Sequence, residues 1–202
     1  AVGDVDGDGD PDLLLTNFGR DQLWINDGRG NFHEGASEAG IADDRWTTSA
    51  LFVDLDADGD EDLYVCSYVD FTLQNHKPCF AESSAIEYCG PSSYPPLPDR
   101  LYRNRGDGTF EDVTSSSGTG AKPGAGLGVV SSDIAGDGQL DLYVANDGMA
   151  NRLWLQGEGF HFEDAALLAG CAVNRDGRAE ASMGADLADF DGDGDDDIFL
   201  TH

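Results

Sequence analysis

Three features of the sequence predict an all-β fold made of repeated four-stranded antiparallel units. A nine-residue Asp-rich segment occurs four times, at residues 4–12, 54–62, 133–141 and 189–197. Each copy runs directly into a short apolar stretch, at 13–16, 63–66, 142–145 and 198–201. After the first three copies a Leu precedes a Phe by nine residues across a Gly-containing turn, as Leu23 and Phe32, Leu101 and Phe110, and Leu153 and Phe162. Apolar runs of about four residues bounded by turn formers read as strands, and self-similarity along the chain reads as a repeat architecture.

The elements of one unit follow in order. The residues before the Asp-rich segment form a first strand and the apolar run after it a second. The Leu-Trp or Leu-Tyr stretch is a third strand, followed by a Gly-rich turn and a fourth strand whose Phe is placed to enter the core. Four antiparallel strands in a unit of roughly 50 residues is the pattern of a β-propeller blade. The chain then divides as part of one propeller domain: a partial blade at 1–40, a blade at 41–118, a blade at 119–170 and a partial blade at 171–202. With the first blade lacking most of its first strand and the last stopping after its second, the chain reads as a piece of a longer protein. Successive Asp-rich segments start 50, 79 and 56 residues apart. The long spacing marks an insertion at 68–99 in the second blade, which holds Cys79, Cys89 and five of the seven prolines. A Pro-rich stretch cannot continue a sheet, so a surface loop pinned by a Cys79–Cys89 disulfide is expected.

Charge narrows the function. The 202 residues are 40% hydrophobic, enough for a packed core. They carry 11 Lys and Arg against 40 Asp and Glu, a formal net charge of −29. Such self-repulsion opposes compaction unless cations offset it. Nucleic acid is excluded as a partner, because phosphate binding needs a basic surface. No apolar run reaches the roughly 18 residues of a membrane-spanning helix.

The Asp-rich segments supply the missing cation sites. Calcium takes six to eight oxygens at about 2.3–2.6 Å, and an Asp-x-Asp-x-Asp-Gly-x-x-Asp loop offers them from one turn. Carboxylates at positions 1, 3 and 5 converge, the carbonyl at position 7 faces the ion, and Asp at position 9 closes the shell. The first loop offers Asp4, Asp6, Asp8 and Asp12 with the carbonyl of Asp10, and the second Asp54, Asp56, Asp58 and Asp62 with Asp60. The fourth offers Asp189, Asp191, Asp193 and Asp197 with Asp195. The third keeps Asp133, Asp137, Asp141 and the carbonyl of Gln139 but has Ala135 at position 3, so it should be the weakest of up to four Ca2+ sites. An EF-hand would need Glu at position 12 between helices; Leu15, Val65, Val144 and Leu200 stand there, in apolar strands.

Other residues read as structural. Cys66 and Cys171 are left either to pair or to remain free thiols. Arg105-Gly106-Asp107 falls where the repeat needs a Gly-rich turn, and Trp24, Tyr102 and Trp154 occupy equivalent strand positions that suit core packing. Trp46 lies outside the repeat. The four histidines assemble no catalytic arrangement with Ser, Cys or Asp, and no enzyme activity is expected.

At the loops and the Leu-Trp/Tyr…Phe elements the chain resembles the FG-GAP/VCBS repeats of integrin-α-type propellers. Cys89-Gly-Pro-Ser-Ser-Tyr-Pro, the run from Asp99 to Thr114, Asp141-Leu-Tyr-Val-Ala-Asn-Asp147 and Ala181-Ser-Met-Gly-Ala-Asp186 narrow this to similarity with the cartilage acidic protein family, the ASPIC and UnbV proteins. The resemblance implies a secreted or cell-surface propeller of about seven blades, with calcium in the loops of one face and no catalysis. The expected function is a calcium-binding extracellular module acting as a protein- or glycan-binding adhesion scaffold. The alternatives are a structural subunit of an extracellular polymer or stalk, which would need self-association, and a propeller-fold hydrolase or lyase.

Overall fold

The computed structural model describes residues 1–202, and sixteen short strands carry most of the regular structure. Three sheets have four antiparallel strands each. The first contains β1 (Val2–Gly3), β2 (Asp12–Leu15), β3 (Gln22–Asn26) and β4 (Phe32–Glu34), in that spatial order. The second contains β5 (Thr47–Val53) and β6 (Asp62–Ser67), and reaches β9 (Arg100–Asn104) and β10 (Phe110–Asp112) only after the insertion. The third contains β11 (Gly126–Ser132), β12 (Asp141–Asn146), β13 (Arg152–Gly157) and β14 (His161–Asp164). A final hairpin pairs β15 (Ala185–Ala188) with β16 (Asp197–Leu200). These are blades of an all-β propeller, and every Asp-rich loop joins a blade's first strand to its second.

The core lies between blades rather than within them. Val5, Leu14, Leu23 and Ala39 of the first blade pack on Phe52, Leu63, Val65, Tyr102 and Phe110 of the second. Leu55, Tyr64, Cys66 and Leu101 of the second pack in the same way on Val129, Leu142, Trp154 and Phe162 of the third. Both faces of β6 and β12 are therefore covered, and all six residues of each strand are buried. This explains why these strands read as continuous apolar runs instead of alternating ones. Tyr102 and Trp154 are core residues as expected, and Trp24 is half-buried. Phe110 and Phe162 enter the core, whereas Phe32 is 42% exposed. Its strand is in the first sheet, and no earlier sheet of this chain packs against it.

Three one-turn helices, α1 (Ala36–Ala39), α2 (Thr114–Ser117) and α3 (Ala166–Ala169), follow the fourth strands and were not expected from the sequence. Each tucks small side chains inward and stops at a left-handed glycine: Gly40, Gly118 or Gly170. Within the insertion, β7 (Cys79–Phe80) and β8 (Ile86–Glu87) form a hairpin bridged by the Cys79–Cys89 disulfide. Cys66 and Cys171 are unpaired. They belong to different inter-blade clusters, Cys66 between the second and third blades and Cys171 beside Tyr143 and Ala166, so the pairing left open above is not made.

Candidate metal centre

The same local hydrogen bonds shape each Asp-rich loop. The position-1 carboxylate accepts the N–H of the position-6 glycine: Gly9 to Asp4 at 3.0 Å, Gly59 to Asp54 at 3.0 Å, Gly138 to Asp133 at 2.8 Å and Gly194 to Asp189 at 3.2 Å. The position-5 carboxylate accepts the N–H of position 7, with Asp8, Asp58, Asp137 and Asp193 each bonded 2.9–3.0 Å from Asp10, Asp60, Gln139 and Asp195. Positions 4 and 6 both adopt the left-handed backbone. Glycine fills both except at Ala57, whose φ of 57° is sterically disfavoured for a residue with a Cβ.

This winding brings carboxylates together. One oxygen each from Asp4, Asp6 and Asp8 lies within 4.8 Å of the others, as do oxygens of Asp54, Asp56 and Asp58 and of Asp189, Asp191 and Asp197. Two oxygens bound to one calcium at about 2.4 Å can be at most about 4.8 Å apart, so these three clusters are the right size for the ion. The third loop, with Ala135, gathers no such group of three. Asp4 Oδ1 and Asp56 Oδ1 are buried and accept no hydrogen bond, a costly condition for a carboxylate oxygen unless a cation is nearby. Burial first, and then the neighbouring Asp8, Asp12 and Asp4 charges, push the Asp6 carboxyl above the ordinary range. At the second loop the Arg103 guanidinium is ion-paired with Asp56 and stands 4.0 Å from Asp58. Burial still raises Asp56 despite that arginine.

The position-9 aspartates are fully buried in the first three loops and do more than face the loop. Asp12 accepts the N–H of Val5 at 2.9 Å and of Asn26 at 2.8 Å. Asp62 accepts those of Leu55 at 3.1 Å and Asn104 at 2.9 Å, and Asp141 those of Ala135 and Gln156, both at 2.9 Å. Each therefore ties its loop to the end of the third strand, and each oxygen keeps one lone pair free for an ion. Burial drives Asp62 up to about 7. Asp197 accepts the N–H of Phe190 at 3.0 Å.

Two further sets of polar residues escaped the sequence reading. Asp21, Asp99 and Asn151 each accept an N–H at the C-terminal end of the second strand, from Asn17, Ser67 and Asn146. Their signal is an Asp or Asn two residues before the third-strand Leu. Asn26, Asn104 and Gln156 close the third strand three residues after that Leu, where Gly28 and Gly106 donate to Asn26 and Asn104. Gly106 has a φ of 72° and lies so close to Asp60 that a Cβ would fall 2.7 Å from its Oδ2, which accounts for the glycine of Arg105-Gly106-Asp107 structurally.

FG-GAP-like repeats match residues 4–65, 89–144 and 133–200. The chain belongs to the FG-GAP-like repeat family. Cartilage acidic protein 1 from Xenopus tropicalis and from Homo sapiens is 41% identical over 59 residues in each case, covering 29% of this chain and 9% of the relative. This FG-GAP chain thus matches only a small part of either relative's length. A solved structure concerning specific recognition of non-reducing terminal N-acetylglucosamine by an Agrocybe aegerita lectin aligns over 81% of this chain and 36% of its own, with a TM-score of 0.42 and 15% identity. At that level it carries no argument.

Proposed function

We propose that this chain is part of an extracellular, calcium-stabilised propeller that serves as a non-catalytic binding scaffold. The observation that carries the reading is the set of three carboxylate clusters of calcium size, two of them containing buried oxygens that accept no hydrogen bond. The ligands are Asp4, Asp6, Asp8 and Asp12; Asp54, Asp56, Asp58 and Asp62; and Asp189, Asp191, Asp193 and Asp197, with the carbonyls of Asp10, Asp60 and Asp195. A weaker fourth site would use Asp133, Asp137, Asp141 and the carbonyl of Gln139. Membership of the FG-GAP-like family and the Cys79–Cys89 disulfide support an oxidising, calcium-rich setting.

The partner surface in this reading is the insertion. Its hairpin exposes Phe80, Ile86 and Tyr88, the last 99% accessible. Beside it a cavity of about 1040 Å3 is lined by Trp46, Tyr68, Phe71 and Tyr94 among others. Exposed apolar groups around a concave aromatic site mark a contact surface for a protein or glycan. Calorimetric titration of chelator-stripped protein with calcium tests the metal reading. Three stronger sites and a weaker one at the Asp133 loop are expected, and a titration with no binding heat at several temperatures would refute it.

A further inference from the structure

The Asp-rich loops of neighbouring blades are joined by single side chains. Asn104, buried at the end of β9, donates its backbone N–H to Asp62 of the second loop at 2.9 Å. Its side-chain Nδ2 reaches across the blade interface to the carbonyl of Val5 in the first loop at 3.0 Å. Gln156, buried in β13, repeats this one blade further on. Its N–H binds Asp141 of the third loop at 2.9 Å, and its Nε2 binds the carbonyl of Leu55 in the second loop, also at 2.9 Å. Val5 and Leu55 each occupy position 2, between the first two carboxylates of a loop. Asn26, the equivalent residue in the first blade, turns its Nδ2 to Pro11 of its own loop.

We propose that Asn104 and Gln156 are positioning residues that make calcium binding cooperative along the blades. This rests on the calcium reading of the loops given above. An ion held by Asp4 and Asp6 fixes the backbone of Val5 between them. A fixed Val5 carbonyl holds the Asn104 side chain, and the Asn104 N–H then holds Asp62 in the second loop. Part of the ordering entropy of the second loop is thus lost when the first is filled, so the second ion binds more tightly. Gln156 passes the same constraint from the second loop to the third. Repulsion between bound ions works in the opposite direction, but at physiological salt it is screened beyond about 8 Å.

The glycine amides at position 6 give a separate signal for each loop, because Gly9, Gly59, Gly138 and Gly194 each donate to their own loop's first carboxylate. Calcium titration of 15N-labelled protein, followed at these four amides in physiological salt, should give steeper-than-hyperbolic curves for Gly9, Gly59 and Gly138. Asn104→Leu keeps the backbone N–H and removes the cross-blade donor. It should weaken binding at Gly9 and Gly59 by about fivefold and uncouple their curves. Gln156→Met should do the same to Gly59 and Gly138, and Gly194 should respond to neither variant. Should either buried substitution prevent folding, Asp58→Asn at the exposed edge of the second loop replaces it; its expected effect is a shift at Gly9 as well as Gly59, with Gly194 unmoved. Independent hyperbolic curves in the parent, or Gly9 unmoved by Asn104→Leu or Asp58→Asn, overturn the coupling. No response of any of these glycines to calcium refutes the calcium reading itself.

Discussion

Burial pushes the Asp99 carboxyl up to about 6, although Ser67 N–H and the Tyr64 hydroxyl each donate to it at 2.8 Å. An aspartate raised above its unfolded value of about 3.9 binds more protons folded than unfolded. Its stabilising contribution is complete below about pH 4 and is lost as pH rises through about 6. In chelator, the melting temperature should therefore fall as pH rises across that window. Asp99→Asn should remove from the pH dependence a share on the order of 2–3 kcal/mol. The amide suits the position, because Asn151 takes it in the next blade, with Oδ1 accepting from Asn146 N–H at 2.9 Å. A variant with the same slope as the parent in chelator would show that Asp99 does not titrate there. With calcium present the slope should reverse, since protons compete with the ion for loop carboxylates. Most candidate ligands were legible at this scale, because Asp alternation and Gly9, Gly59, Gly138 and Gly194 define the loop in sequence. Asp99, Asp21 and Asn151 were not, because an isolated Asp before a strand looks like any turn residue until its N–H partner is known.

At the scale of elements, the Asp-rich loop and the two strands it joins were readable because the loop recurs with a short apolar run directly after each copy. The one-turn helices were not, since four residues such as Thr114–Ser117 carry no helical periodicity; Thr114 and Ser117 are buried and their helix packs against β9 and against β14 of the next blade. The insertion was recognised by its prolines and cysteines, yet its aromatic packing was not. Trp46 stacks edge-on against Phe18 and Tyr68, and Phe71 against Tyr94, pairs formed by residues far apart in the repeat. The hairpin of β7 and β8 packs outside the inter-blade cores, so it can loosen by itself. Replacing Cys79 and Cys89 with Ser should make residues 80–88 the first site of limited proteolysis while lowering the melting temperature of the blades by only about 2–3 °C. Loss of the whole cooperative transition in this variant would mean that the insertion is integral to the fold.

For the whole molecule, the repeat pattern correctly gives propeller blades, but the location of the core follows from how blades stack. Leu63 and Val65 face the first blade while Tyr64 and Cys66 face the third, so one strand contributes to two interfaces. The acidic loops are bonded into those interfaces: Asn104 and Gln156 cross them, and Asp4 N–H meets Glu61 of the next blade at 2.8 Å. A net charge of −29 concentrated partly in these loops opposes the stacking that the apolar clusters favour. In the proposed reading, calcium would offset that repulsion and bind the folded loops alone, which would link stability to occupancy. The decisive measurement is thermal unfolding at neutral pH and physiological salt, in millimolar calcium and in excess chelator. Calcium should raise the melting temperature by more than about 10 °C; superimposable transitions in the two conditions would contradict calcium stabilisation.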